Sequence, residues 1–184
     1  MGNLRFFDTA ALQHRYVSGP ESRRIRRLIG DSRDECYVAE WTILEISSAL
    51  AKRCRVGGHS VDVYDQWDLR FFSDIARGKL RVREASQRDV LKARQLIRFA
   101  GVLHKRNLGS GDALIASACL ELALERRAVV TFYTSDWTLY STVRDIDAFR
   151  STLRIVYVGT PRGGLPAVSG RKRSRRATRQ TTTK

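Results

Sequence analysis

The chain is poor in the residues that organise metal-stapled or disulfide-stapled folds. Among its 184 residues are three cysteines and three histidines, and none of them pair. Cys36, Cys54 and Cys119 are far apart, and His14, His59 and His104 form no HxxxH spacing. Structural zinc sites are built from such close pairs, so a zinc-organised fold is excluded. The cysteines read as small core residues of a protein kept reduced, as in the cytoplasm. No apolar run approaches the roughly 18–20 residues of a membrane span. The N-terminal MGNLRFFDTA lacks the charged-then-apolar pattern of a signal peptide. Acidic residues are missing altogether from 161–184.

That last absence makes the charge uneven. The net charge is +15, and 161–184 carries eight of it. We therefore expect one domain over 1–160, long enough for a real core, and a basic, disordered tail over 161–184. A hydrophobic content of 42% fits a folded body rather than a disordered one. A body this basic suits a polyanion, of which nucleic acid is the commonest.

Short apolar runs alternate with helical patterns. LRFFD (4–8), CYVAE (36–40), LRVRE (80–84), AVVTFYT (128–134) and LRIVYVG (153–159) read as strands. The charges of 80–84 suit a sheet edge. Helices are expected over 9–17, 21–30, 42–54, 60–77, 87–105, 109–124 and 135–146, with Gly30 and Gly57-Gly58 as stops. GSGDALIASACLELAL (109–124) is apolar on nearly every side and should be buried. The alternation predicts an α/β fold, a three-layer α/β/α sandwich around a mostly parallel sheet. Right-handed crossovers place the strand C-termini on one edge, where open α/β sheets bind ligands.

Four acids fall at that edge. Asp8 ends the first strand, and Glu45 lies one turn after the second. Asp112 opens the apolar helix, and Asp136 follows the fourth strand. Each has a bland reading: Asp8 as an N-cap, Thr42 and Glu45 as a capping box, Asp112 and Asp136 as first-turn acids favoured by the helix dipole. Gathering all four is costly, since two carboxylates about 5 Å apart repel by roughly 3 kcal/mol at an effective dielectric of 20. Protons or a cation would offset the repulsion. Oxygen ligands without His or Cys suit Mg²⁺ or Mn²⁺.

FFDTAAL (6–12), TILEISSALAKR (42–53), GDALIASA (111–118) and VVTFYTSDWTL (129–139) together resemble the four ordered motifs of PIN-domain ribonucleases. Within that family the chain is most similar to the toxins of VapBC toxin–antitoxin systems. The resemblance spans most of 3–159. It implies a metal-dependent endoribonuclease that uses Mg²⁺ or Mn²⁺, with Asp8, Glu45, Asp112 and Asp136 as catalytic metal ligands. It also implies an RNA substrate, a homodimer, and an antitoxin that wraps the toxin and blocks its site. One departure is Ile115, where the family's third motif often has His; that position is not a metal ligand. The basic tail lies outside the family core.

Other residues invite roles near these acids. Thr9 could orient a metal-bound water, and Thr134 and Ser135 could touch phosphate at a helix start. Trp137 reads either as a base-stacking ring or as a core or dimer-interface aromatic. Arg15, Arg23, Arg24, Arg26 and Arg27 read as an RNA-binding patch or a solvated face. Gly109 and Gly111 read as clearance for backbone approaching a metal or phosphate, or as a simple turn. Two rival functions stay open: a non-catalytic module binding nucleic acid or protein, and a DNA-directed nuclease of related fold.

Overall fold

A computed structural model describes residues 2–31 and 33–159. The tail expected over 161–184 lies outside the described residues.

In β1 (Leu4–Phe7), Phe6 and Phe7 point to opposite faces and both are fully buried. A strand covered on both sides belongs in a parallel sheet with helices on each face. Four more strands complete it: β2 (Glu35–Ala39), β3 (Arg81–Arg83), β4 (Val130–Thr134) and β5 (Leu153–Tyr157). The order is β3-β2-β1-β4-β5, and every pair is parallel. The charged β3 is an edge, as its sequence predicts.

Alternating side chains split the core in two. Phe7, Val38 and Tyr133 face α1 (Thr9–Leu12), α2 (Ser22–Gly30), α3 (Trp41–Gly57) and α4 (Val61–Ala76). Phe6, Tyr37 and Phe132 face α5 (Gln87–Arg98), α6 (Ser110–Arg126), α7 (Trp137–Arg144) and α8 (Asp147–Thr152). The result is the expected three-layer α/β/α sandwich. Each fully buried Phe contributes roughly 2 kcal/mol of transfer free energy. The apolar helix α6 is buried from Ala113 to Ala123, Leu114 excepted. All three cysteines are free and buried, as small core residues should be.

Several boundaries differ from expectation. The helix expected over 87–105 ends at Arg98 and continues as a π-helical turn, Phe99–Leu103. The 9–17 segment is one α-helical turn plus a 3-10 turn, Gln13–Arg15. Helix α8 falls in a stretch to which the sequence pattern assigns no element; it buries only Phe149, too little to give a period. Gly58 stops α3 in the left-handed conformation (φ 65°) that favours glycine.

The chain steps outward from β1 to β2 and β3, then returns to place β4 on the other side of β1. Connections leaving β1 and β4 therefore pass to opposite faces, because α1 joins one core and α7 the other. The carboxyl ends of β1 and β4 flank the resulting crevice, where open α/β sheets bind ligands.

Candidate active site

Asp8 follows the last residue of β1 and is 1% exposed. It occupies the N-cap position of α1, yet its side chain makes no cap hydrogen bond. Its Oδ2 instead accepts from the Thr134 hydroxyl at 2.6 Å. Thr134 Oγ1 also accepts the Asp136 N–H at 3.0 Å, so one hydroxyl joins the ends of β1 and β4. Asp8 Oδ1 is buried without a hydrogen-bond partner among the described residues. Such an atom is costly unless something else binds it.

Glu45 arrives from α3. That helix starts at Trp41 with Glu40, itself helical in φ and ψ, at its N-cap. The capping box predicted from Thr42 and Glu45 is therefore absent: Thr42 lies inside the helix, with its hydroxyl buried and unpaired. Freed from that role, Glu45 Oε2 accepts from Thr9 Oγ1 at 2.7 Å.

Asp112 lies in the first turn of α6. Glycine at 111 makes room for a neighbouring carboxylate: a Cβ added there would fall 1.6 Å from Glu45 Oε1. The clearance serves Glu45 rather than an approaching backbone. At Gly109 a Cβ would fall 3.2 Å from Asp112 Oδ2. Asp136 does cap its helix, accepting the Leu139 N–H at 2.7 Å.

The four acids interact electrostatically. Burial raises the Asp8 pKa from 3.8 to about 7; Asp112 and Glu45 add to the rise, while the Thr134 hydrogen bond opposes it. Burial likewise raises Asp112 to about 6, with Asp136 and Glu45 adding repulsion and the Gly109 amide opposing. A cavity of about 400 Å³ opens between Asp8, Glu45 and Asp112, with Thr9, Gln13, Ser48 and Ala49 among its walls. Asp136 is not among its lining residues.

The donor set is oxygen only, and one buried oxygen lacks a partner, as a hard divalent cation requires. Among the described residues, no group of three His, Cys, Asp or Glu side chains forms a ready cage. Mg²⁺ typically keeps several waters and takes one or two carboxylates, so the cluster fits such an ion and not a dehydrated one.

Of the other residues singled out, Ser135 donates to the Ala10 carbonyl at 2.7 Å. Trp137 is 39% exposed, and its ring packs with Tyr140 and Tyr157. Arg15 pairs with buried Asp74, so it is not a free phosphate contact, whereas Arg23, Arg24, Arg26 and Arg27 are exposed. Gln13, Ser48 and Ala49 were missed by sequence reasoning. The two on α3 lie three and four residues beyond Glu45, the spacing that signals a shared helix face.

No family model matches the chain, and no curated protein sequence matches it. Solved structures do resemble it. VapBC2 from Rickettsia felis, bound to a DNA fragment from its promoter, aligns with a TM-score of 0.52 at 15% identity, covering 84% of this chain and 98% of that one. The fold is PIN-like. PAE2754 from Pyrobaculum aerophilum aligns at 0.45 with 19% identity over 77% of this chain and 87% of that one. FitAcB from Neisseria gonorrhoeae aligns at 0.47 with 13% identity over 83% and 96%. The PIN-like sandwich accounts for the assembly of the site, since its switch point lies where Asp8 and the Thr134–Asp136 turn meet.

Proposed function

We propose that the chain is a Mg²⁺- or Mn²⁺-dependent endoribonuclease, the toxin of a toxin–antitoxin pair. One observation carries the reading: Asp8, buried with an unpartnered oxygen, sits among three further acids at the switch point of a PIN-like fold. Asp8, Glu45 and Asp112 would surround the ion, one or two of them binding it directly and the rest through its waters, with Asp136 adding negative charge beside Asp112. Bound there, such an ion would lower the pKa of a water and offset charge on the phosphate. Thr134 holds Asp8 by one oxygen and leaves the other free. Thr9 holds Glu45 over Gly111. The basic body draws RNA in, with strong salt dependence.

The test is cleavage of matched RNA and DNA strands with Mn²⁺. Wild type is expected to cut RNA, and Asp8→Asn and Asp112→Asn to lose at least about a hundredfold in rate. Variants as active as wild type would falsify the assigned site. Preferential cutting of DNA would favour the DNA-directed alternative, and Mn²⁺-independent RNA binding without cutting a non-catalytic module. The toxin reading rests on the motifs and on the fold shared with the VapBC2 structure. It implies a cytoplasmic homodimer held by an antitoxin. Among the described residues no helix is long and apolar enough to cross a membrane. Expression is expected to arrest growth, and Asp8→Asn to abolish the arrest.

A further inference from the structure

The cavity at the acids does not end there. A second cavity, of about 320 Å³, is lined by Gln13, Ala49, Lys52, Arg53 and Val56. Gln13 and Ala49 belong to both, so the two form one groove along α3. Its floor follows one helix face, from Glu45 through Ser48 and Ala49 to Lys52 and Arg53. Seven residues separate Glu45 from Lys52, which is roughly 10 Å along a helix. Carboxylates thus occupy one end of the groove, small side chains the middle, and two cations the other end.

The cations have no evident structural duty. Both are exposed, and among the described residues neither pairs with a carboxylate. Arg53 Nε donates only to Gln13 Oε1, at 3.2 Å, across the groove. Favourable interaction with the helix dipole is confined to the last turn, where the basic residue is Arg55. A groove with metal-suited acids at one end and unpaired cations two turns away matches a strand whose phosphates repeat along its length.

We infer that Lys52 and Arg53 form a phosphate-anchoring subsite for single-stranded RNA, holding the strand along α3 a few nucleotides from the bond that is cut. The inference rests on the ribonuclease reading and extends it by naming the path of the substrate. A competing basic surface exists. Arg15, Arg26, Arg70 and Arg77 line a separate cavity of about 310 Å³ around Asp74, which would carry the strand down a different face.

Binding of a short fluorescein-labelled single-stranded RNA separates the two paths. It is measured by anisotropy on the Asp112→Asn background, so that nothing is cut. Adding Lys52→Gln and Arg53→Gln together is expected to weaken binding about tenfold and to lower the slope of log affinity against log salt by about 1 to 1.5. Lys52→Arg should restore part of both. Arg70→Gln with Arg77→Gln should change neither. In the cleaving protein, the Lys52/Arg53 pair should raise KM and leave kcat within about twofold, because the anchor lies away from the reacting bond. Circular dichroism checks that the exposed substitutions leave the fold intact. Unchanged affinity and slope in the Lys52/Arg53 variant overturn the inference, as does transfer of the loss to the Arg70/Arg77 variant. RNA that binds through Lys52 and Arg53 but is never cut leaves the subsite standing and overturns the nuclease reading. Wild-type protein that neither binds nor cuts RNA overturns both.

Discussion

Gly111 and Asp8 are the residues at which the site is most sensitive. Glu45 Oε1 occupies the volume that a side chain at 111 would need, so Gly111→Ala must displace the carboxylate. We expect that variant to stay folded, to bind Mn²⁺ about tenfold more weakly by calorimetry, and to lose activity in step. Unchanged Mn²⁺ affinity would show that Glu45 is not held over Gly111. Asp8 makes a pH prediction. Its pKa is about 7 in the fold against 3.8 ordinarily, so folding favours the protonated acid. The stability it contributes is full below about pH 4 and is lost as pH rises through about 7, at most on the order of 4 kcal/mol. Asp112, at about 6, acts in the same direction. With EDTA present, urea unfolding should give a parent stability that falls across this window. Asp8→Asn should flatten the fall, matching the parent near pH 4 and exceeding it at pH 8. A parent curve that rises between pH 4 and 7 contradicts the assignment.

Among the elements, β3 is the weakest piece of the sheet and the one most dependent on side chains. It has three residues and one neighbour. Arg83 ties it to α5 through Asp89 at 2.8 Å and to α6 through Glu125 at 2.8 Å. Asp89 also completes the Ser86 capping box of α5. Asp89 is almost fully buried, so Arg83→Met leaves a charge unpaired. Breaking such a pair costs roughly 3 kcal/mol, expected as a drop in urea midpoint with little change in slope. The exposed Arg81→Met should cost under about 1 kcal/mol. This network also marks the limit of what the sequence displays. Strands, apolar α6 and the placement of four acids at one edge were legible because Leu, Val and Phe repeat at intervals set by each element. The partner of each acid was not legible. Thr134 meets Asp8 across 126 residues, and Glu45 meets Gly111 across 66. Local pattern instead paired Glu45 with Thr42, a box dissolved because the helix takes its N-cap two residues earlier, at Glu40. Helix α8 escaped notice because a single buried Phe149 has no period.

At the scale of the whole molecule, the same acids that weaken the fold without a cation should strengthen it with one. Two cores hold α1 and α3 on one face and α6 and α7 on the other, so the carboxylates cannot separate to relieve their repulsion unless an element undocks. A divalent ion that binds the folded state and not the unfolded chain adds RT ln(1 + [L]/Kd), about 2.7 kcal/mol at a hundredfold excess over Kd. Stabilisation by Mn²⁺ should also grow with pH, because below about 6 protons compete for Asp8 and Asp112. We therefore expect Mn²⁺ to raise Tm at pH 8 by several degrees and to have little effect at pH 5. Asp8→Asn, whose neutral amide keeps the shape, should abolish most of the shift while leaving the metal-free Tm at pH 8 above that of the parent. Sodium at the same ionic strength controls for screening, since a monovalent ion screens surface charge without the divalent charge and ligand field that draw carboxylates together. A Tm shift equal for both cations, or equal at pH 5 and pH 8, would place the effect in general surface electrostatics rather than in the carboxylates at the switch point.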